Sequence, residues 1–166
     1  MLSGKVSTST LDKLDTPEKS EQKNSLPNIR QLTDTRLSKK GWEDRYRFIM
    51  QLGKQLPNYP EEYRTEDHLV PGCDSTVWLC YEQVNKNNNT LRFSISSNAR
   101  IIKGLSVILL SYYNEKTATE ITNGNIQEIF DELGLSKHLS PSRNNGLLAI
   151  NQRIIDSANR AIQQPL

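Results

Sequence analysis

Apolar positions change period along this chain, and the changes divide it into segments of different kind. Trp42, Tyr46, Ile49, Gly53 and Leu56 recur at every third or fourth position, and Pro57 follows them. That spacing predicts a helix over 42–56 with its stripe turned inward and its two aromatic residues serving as core. A sparser set, Ile29, Leu32 and Leu37, predicts a short helix within 26–37. Pro57, Pro60 and the charged residues Glu61, Glu62, Arg64, Glu66 and Asp67 read as a connecting loop or short helix.

After residue 75 the period becomes two. Thr76, Trp78 and Cys80 share one face of a strand, and Val77, Leu79 and Tyr81 share the other; both faces are apolar enough to require cover on at least one side by helices. Asn85 to Asn89 read as a turn, and Leu91, Phe93 and Ile95 alternate with Arg92 and Ser94, which completes an antiparallel hairpin. Residues 99–113 are apolar all round, the mark of a central helix. Within it Gly104 weakens the helix and so implies close approach of another element, for which the sheet is the candidate. A short helix follows over 116–121 with Thr117 or its neighbour as cap, then one over 126–133 capped by Asn125 and stopped by Gly134. Ser140-Pro141 has the form of an N-cap followed by proline in the first turn. It opens a last helix running to about Gln163, with Leu147, Ile150, Ile154, Ala158 and Ala161 inward. Helix, hairpin, then helices is an α+β order, a small antiparallel sheet packed against helices.

Composition refines this picture in two places. The chain has 166 residues, enough for one domain with a real core. Its positive charge is uneven: residues 1–40 hold eight Lys/Arg against five Asp/Glu, and residues 41–166 hold 13 against 14. The folded part is thus near neutral, which argues against direct nucleic-acid binding. Residues 1–25 are polar and nearly devoid of large apolar side chains, so they read as a disordered tail ahead of a domain over 26–166. The tail has no apolar signal core, its acids argue against a transit peptide, and no stretch approaches the ~18 apolar residues of a membrane span.

Two cysteines, without CxxC spacing, supply neither a disulfide framework nor a zinc signature. On one extended segment Cys73 and Cys80 would lie ~23 Å apart at ~3.3 Å per residue, too far for a bridge. Two free thiols suit a reducing cytosol, and a cytoplasmic location is the expectation. Cys80 reads as a buried, inert thiol on the side of Trp78. Cys73 follows a Pro71-Gly72 turn and precedes Val77-Trp78-Leu79, so it stands where a loop becomes a strand. Spacing alone allows it equally to be a small buried hydrophobe.

Several stretches, in order over about 41–162, carry a family resemblance. They are Gly41-Trp42-Glu43-Asp44-Arg45-Tyr46, Leu52-Gly53-Lys54-Gln55-Leu56-Pro57, Pro71-Gly72-Cys73-Asp74-Ser75-Thr76-Val77-Trp78, Ile101-Ile102-Lys103-Gly104-Leu105, and the run from His138 through Ser140-Pro141-Ser142-Arg143 to Gly146-Leu147. Together they resemble the SufE/CsdE family of sulfur acceptors for cysteine desulfurases. The first of them, with Phe130-Asp131-Glu132-Leu133-Gly134-Leu135, looks closer to the CsdE branch.

The resemblance implies a fold shared with the IscU-type scaffolds and a persulfide relay. A desulfurase using pyridoxal phosphate would strip sulfur from cysteine, and Cys73 alone would take the terminal sulfur. The sulfur would pass on to an iron–sulfur cluster scaffold or another acceptor, for instance a tRNA-modification protein. This chain would need no cofactor of its own and no membrane, and would act as a sulfurtransferase-like carrier and desulfurase activator rather than as a stand-alone enzyme.

Thiol exchange needs one thiolate nucleophile and a docking surface. Ionisation of a thiol is helped by cations or backbone N–H groups. The candidates are the N–H groups of Gly72 to Ser75 and Arg143; Arg143 reads equally well as a surface arginine or a partner of Asp74. Asp74, close to the thiol, would oppose its ionisation. Where family members commonly carry an Asp-Ser-acid run, this chain has Ser96-Ser97-Asn98, which removes negative charge near the cysteine loop.

Three other readings compete. A thiol hydrolase would need a base, and neither His68 nor His138 stands in a Cys/His protease context. A metal scaffold on Cys73, Cys80, His68 and His138 requires cysteines that point to opposite ends of one strand to converge. An adaptor that binds a desulfurase with an incidental cysteine is separable by Cys73→Ser, which abolishes sulfur acceptance only if the thiol is the acceptor.

Overall fold

The computed structural model describes residues 26–34 and 41–164. The expected tail at 1–25 and Leu37 of the first expected helix lie outside the described residues. Chain order is α1 (Ile29–Leu32), α2 (Trp42–Leu52) continued by a 3-10 turn over Gly53–Gln55, two further 3-10 turns (Glu61–Tyr63 and Glu66–His68), the hairpin β1 (Val77–Asn85) and β2 (Thr90–Ser97), then α3 (Arg100–Tyr113), β3 (Lys116–Thr117), α4 (Ala118–Asn123), α5 (Gln127–Glu132), α6 (Leu135–His138) and α7 (Pro141–Gln163). The class is α+β, as the order of periods indicates.

The sheet is antiparallel in the order β1-β2-β3. Its main ladder runs from Val77 opposite Ser97 to Asn85 opposite Thr90, with a register shift between Gln83 and Asn85. The third strand, which the apolar pattern does not predict, pairs Lys116 with Leu91 and Thr117 with Thr90. It is only two residues long, so no alternation could announce it. Glu115, at φ 66°, turns the chain into it and donates its N–H to the Leu91 carbonyl.

Alternation along β1 sets the layers. Val77 and Leu79 face the helices and are buried, and Phe93 and Ile95 of β2 join them. The opposite face, with Trp78 and Cys80, is covered by the 57–68 segment: Tyr59 is buried, and the Arg64 guanidinium lies 5.2 Å from the Tyr59 ring centre and 5.0 Å from that of Trp78.

α3 is the central helix. From Ile101 to Leu110 every residue except Lys103 is buried. Its neighbour at Gly104 is α2 rather than the sheet, which corrects the expectation: a Cβ there would fall 1.9 Å from the Ile49 carbonyl oxygen. Glycine demanded space at this position, and the sequence could not say which element filled it.

The other helices begin and end by local chemistry. Asn28 and Gln31 form a capping box on α1, and Thr117 with Glu120 forms one on α4. The Asn125 side chain accepts the Gln127 N–H at 3.1 Å. Gly134, left-handed at φ 68°, ends the turn after α5 and immediately starts α6, a helix the stop signal concealed. Ser140 caps α7 by accepting the Arg143 N–H at 3.3 Å, with Pro141 in the first turn. The inner face of α7 (Leu147, Ile150, Ile154, Ala158 and Ala161) is buried as its spacing requires.

Candidate functional site

The site is built on the segment leading into β1. Leu69 forms an isolated antiparallel bridge with Trp78, and the Val70 N–H donates to the Val77 carbonyl at 2.9 Å. Residues 71–76 are therefore a loop closed at its base. Gly72 sits at φ 83°, a left-handed conformation that side chains other than glycine's adopt with strain. This turn delivers Cys73 partly buried, with Asp74 exposed beside it. Cys73 and Cys80 are both free thiols.

Helix α7 shapes the space around Cys73. Gly146 is buried, and a Cβ at this position would lie 2.9 Å from the Cys73 sulfur and 3.6 Å from Cδ1 of Ile102. The sulfur thus rests against the backbone of α7 where that helix has no side chain. Farther along, Arg153 donates from Nη1 to the Leu69 carbonyl at 3.1 Å and from Nη2 to the Asp67 carbonyl at 2.6 Å. At the start of α7, the Ser142 hydroxyl donates to Oδ2 of Asp74.

An open pocket of about 580 Å³ adjoins the thiol. Cys73, Asp74 and Ser75 form one wall, Tyr46 and Met50 of α2 another, and the first residues of α3 and α7 close it with Arg100 and Arg143. The Arg143 guanidinium lies 5.5 Å from the Tyr46 ring centre. Two helices therefore begin at the pocket, so the positive ends of their dipoles and the Arg100 and Arg143 side chains face it together with the Asp74 carboxylate. At the start of α7 the Arg143 N–H is already taken by Ser140, and Pro141 has none. A second opening of about 640 Å³ runs over the exposed side of α2 and shares Tyr46, Met50 and Arg100 with the first.

The candidate residues are distributed as follows. Gly72, Cys73, Asp74 and Arg143 come together around the loop, but Asp74 is engaged by Ser142 and Arg143 is set over Tyr46. His68 lies on a 3-10 turn, 2.9 Å from the Thr65 hydroxyl through Nδ1, and His138 stacks on Trp42 with ring centres 4.8 Å apart; neither lines the pocket. Trp42 and Tyr46 pack against the core as expected, and both also border the openings. Cys80 is buried behind the sheet. Burial pushes its thiol pKa up, opposed by hydrogen bonds from Tyr59 and Ser94. Ser96 of the Ser96-Ser97-Asn98 run accepts from Arg64 Nη1 at 2.7 Å, and Ser97 accepts the Ala99 N–H at 3.2 Å.

Gly146, Arg153, Ser142 and Arg100 do not stand out in the sequence as site residues. Of these only Gly146 carries a signal, as a glycine inside a strongly capped helix.

Fold and site together define an α+β protein with a loop-borne thiol held at the start of two helices. Its relatives agree. A sequence model described as SufE, an Fe-S metabolism associated domain, matches residues 30–158, and the chain belongs to the SufE family. An uncharacterized SufE-like protein of Rhizobium meliloti is 42% identical over 118 residues, covering 70% of this chain and 84% of that protein. The sulfur acceptor protein CsdE of Escherichia coli is 41% identical over 114 residues, 69% of this chain and 76% of that one. The cysteine desulfuration protein SufE of Wigglesworthia glossinidia brevipalpis is 36% identical over 119 residues, 70% and 80% of the two chains. The solution structure of a hypothetical protein from Thermus thermophilus superposes with a TM-score of 0.65 at 15% identity, over 84% of this chain and all of that one, which shows the shared fold. Among the described residues no helix is long and apolar enough to cross a membrane.

Proposed function

We propose that this protein is the sulfur acceptor of a cysteine desulfurase and that Cys73 carries the accepted sulfur. The observation behind this reading is the thiol itself: it is partly exposed on a loop fastened at its base by Arg153 and at its tip only through the exposed Ser142–Asp74 hydrogen bond, beside an open pocket. Relatives named for sulfur acceptance and cysteine desulfuration support the same reading.

The reaction is a thiol exchange. The Cys73 thiolate attacks the terminal sulfur of a cysteine persulfide on the desulfurase; the bond from that sulfur to the donor cysteine breaks, and the donor leaves as a thiolate. One sulfur atom moves, no net oxidation occurs, and the proton lost by Cys73 is balanced by the one the donor regains. Pyridoxal phosphate belongs to the desulfurase that generates the persulfide, and this chain supplies no cofactor. Arg143 and Arg100 favour the approach of the anionic sulfur, while Tyr46 and Met50 offer it a partly apolar wall. Removing the sulfur regenerates the donor's nucleophile, so the acceptor also activates the desulfurase. A later exchange passes the sulfur to an iron–sulfur scaffold or to a tRNA-modification protein, in a reducing, cytoplasmic setting.

Incubation with a cysteine desulfurase and L-cysteine, followed by intact mass and peptide mapping without reductant, tests this. One added sulfur on Cys73, dependent on the desulfurase and absent from Cys73→Ser, is the expected result. Desulfurase binding without sulfur on Cys73 would establish the adaptor reading in its place.

A further inference from the structure

We propose that Gly146 is a positioning residue for Cys73, a side-chain-free seat that holds the thiol inward and sets how often the loop presents it. The proposal deepens the reading of Cys73 as the sulfur acceptor and rests on it for its functional consequence. Gly146 lies in the interior of α7, where glycine is the least favourable residue after proline, so a reason for it must come from packing. The reason is geometric. A Cβ at Gly146 would stand 2.9 Å from the Cys73 sulfur, while the nearest other atom would be Ile102 Cδ1 at an ordinary 3.6 Å. Cys73 is thus the one close neighbour that a methyl group would displace, and it sits on a loop rather than in a rigid element.

Sulfur in this seat has α7 on one side and the loop on the other. Acceptance and donation both require it to leave, because another protein's cysteine must approach it along the breaking bond. The inward thiol is therefore the resting state, and the outward one is the reacting state. Two attachments oppose the exchange: the fit against Gly146 and the Ser142–Asp74 hydrogen bond at the loop's tip. The base, fastened by the Leu69–Trp78 bridge and by Arg153, stays in place while the tip moves.

Gly146→Ala tests the seat through two readouts that need no partner protein. The first is alkylation of both thiols, counted by mass. Cys73 should react about tenfold faster than in the wild-type chain, the population shift expected when a methyl group overpacks this contact. Cys80, buried behind the sheet, should not change. The second is thermal stability in two backgrounds. With Cys73 present the substitution should lower Tm or leave it level; with Cys73→Ala, which removes the sulfur, it should raise Tm as a better helix former. Should Gly146→Ala alone fail to fold, recovery of folding in the Cys73→Ala background demonstrates the same clash between methyl group and sulfur. With desulfurase and L-cysteine, the variant's persulfide should also be stripped faster by a thiol reductant.

A Cys73 rate within about twofold of wild type, a parallel rise at Cys80, or the same Tm change in both backgrounds would overturn the seat. Failure of the wild-type chain to take up sulfur would instead strike the acceptor reading and leave the alkylation result standing.

Discussion

Arg153 holds the Leu69 carbonyl at 3.1 Å from Nη1, and with Nη2 it reaches the Asp67 carbonyl at 2.6 Å. One guanidinium on the last helix thus fixes the strand-like entry to the cysteine loop through main-chain atoms alone. Arg153→Ala leaves two carbonyls without their charged donor and should cost about 2 kcal/mol of unfolding free energy. Urea titration measures the loss, and Cys73 alkylation should accelerate as the base of the loop loosens. Arg153→Lys, whose single ammonium lacks the planar fork, should recover only part of both. An unchanged alkylation rate in Arg153→Ala would remove this residue from control of the loop.

Ser142 binds the loop's tip through Asp74, and both residues are exposed. Exposed hydrogen bonds of this kind contribute about 0.5–1 kcal/mol, so Ser142→Ala should raise Cys73 alkylation about threefold and shift Tm little. Ser142→Thr, which keeps the hydroxyl, should match the wild-type rate.

The buried thiol and phenols predict a loss of stability in alkali. Burial raises the pKa of Cys80 above its ordinary 9.0, and burial likewise raises Tyr59 and Tyr113 well above their ordinary 10.0. The folded state holds these protons more tightly than the unfolded state. Their contribution is complete below pH 9.0, and it is lost as pH rises through the folded values. The urea midpoint should therefore decline above pH 9.0, and Cys80→Ala should flatten the part of that decline lying between 9.0 and 10.0. A slope identical to wild type would mean that Cys80 ionises as readily folded as unfolded.

Gly104→Ala should be the most damaging single methyl addition among the glycines in contact with α2. Its Cβ would fall 1.9 Å from the Ile49 carbonyl oxygen, and a backbone atom cannot rotate away. A loss of about 3 kcal/mol or more is expected in urea titration, with Cys80 becoming reactive along with Cys73. That joint reactivity separates a core failure from release of the loop.

Much of this arrangement was legible in the chain. The helical spacing of Trp42, Tyr46 and Ile49, the alternation around Leu79 and Phe93, and the Ser140-Pro141 start of α7 each marked an element because one local rule governed it. Pro71-Gly72 marked the turn for the same reason. The parts that stayed hidden depend on partners far away in sequence. Lys116 and Thr117 are a strand only because Leu91 and Thr90 pair with them. Arg153 looks like any helix arginine until its two carbonyls, more than eighty residues earlier, are in place. Of the Ser96-Ser97-Asn98 run, Ser96 meets Arg64 on the covered face of the sheet while Ser97 turns to the Ala99 N–H, so the run touches the 57–68 segment as well as the start of α3.

The pocket beside Cys73 is bounded by the opening residues of α3 and α7, and α3 starts after Ala99, whose side chain supplies no cap. Part of the local field is therefore made of peptide groups, which every residue possesses. Only proline, as already stands at Pro141, takes an N–H out of it, whereas exchange of Arg100 or Arg143 removes only a side-chain share. Exchange of either arginine therefore leaves the backbone share of that field in place, so the pocket's character rests on where α3 and α7 begin as much as on which side chains open them.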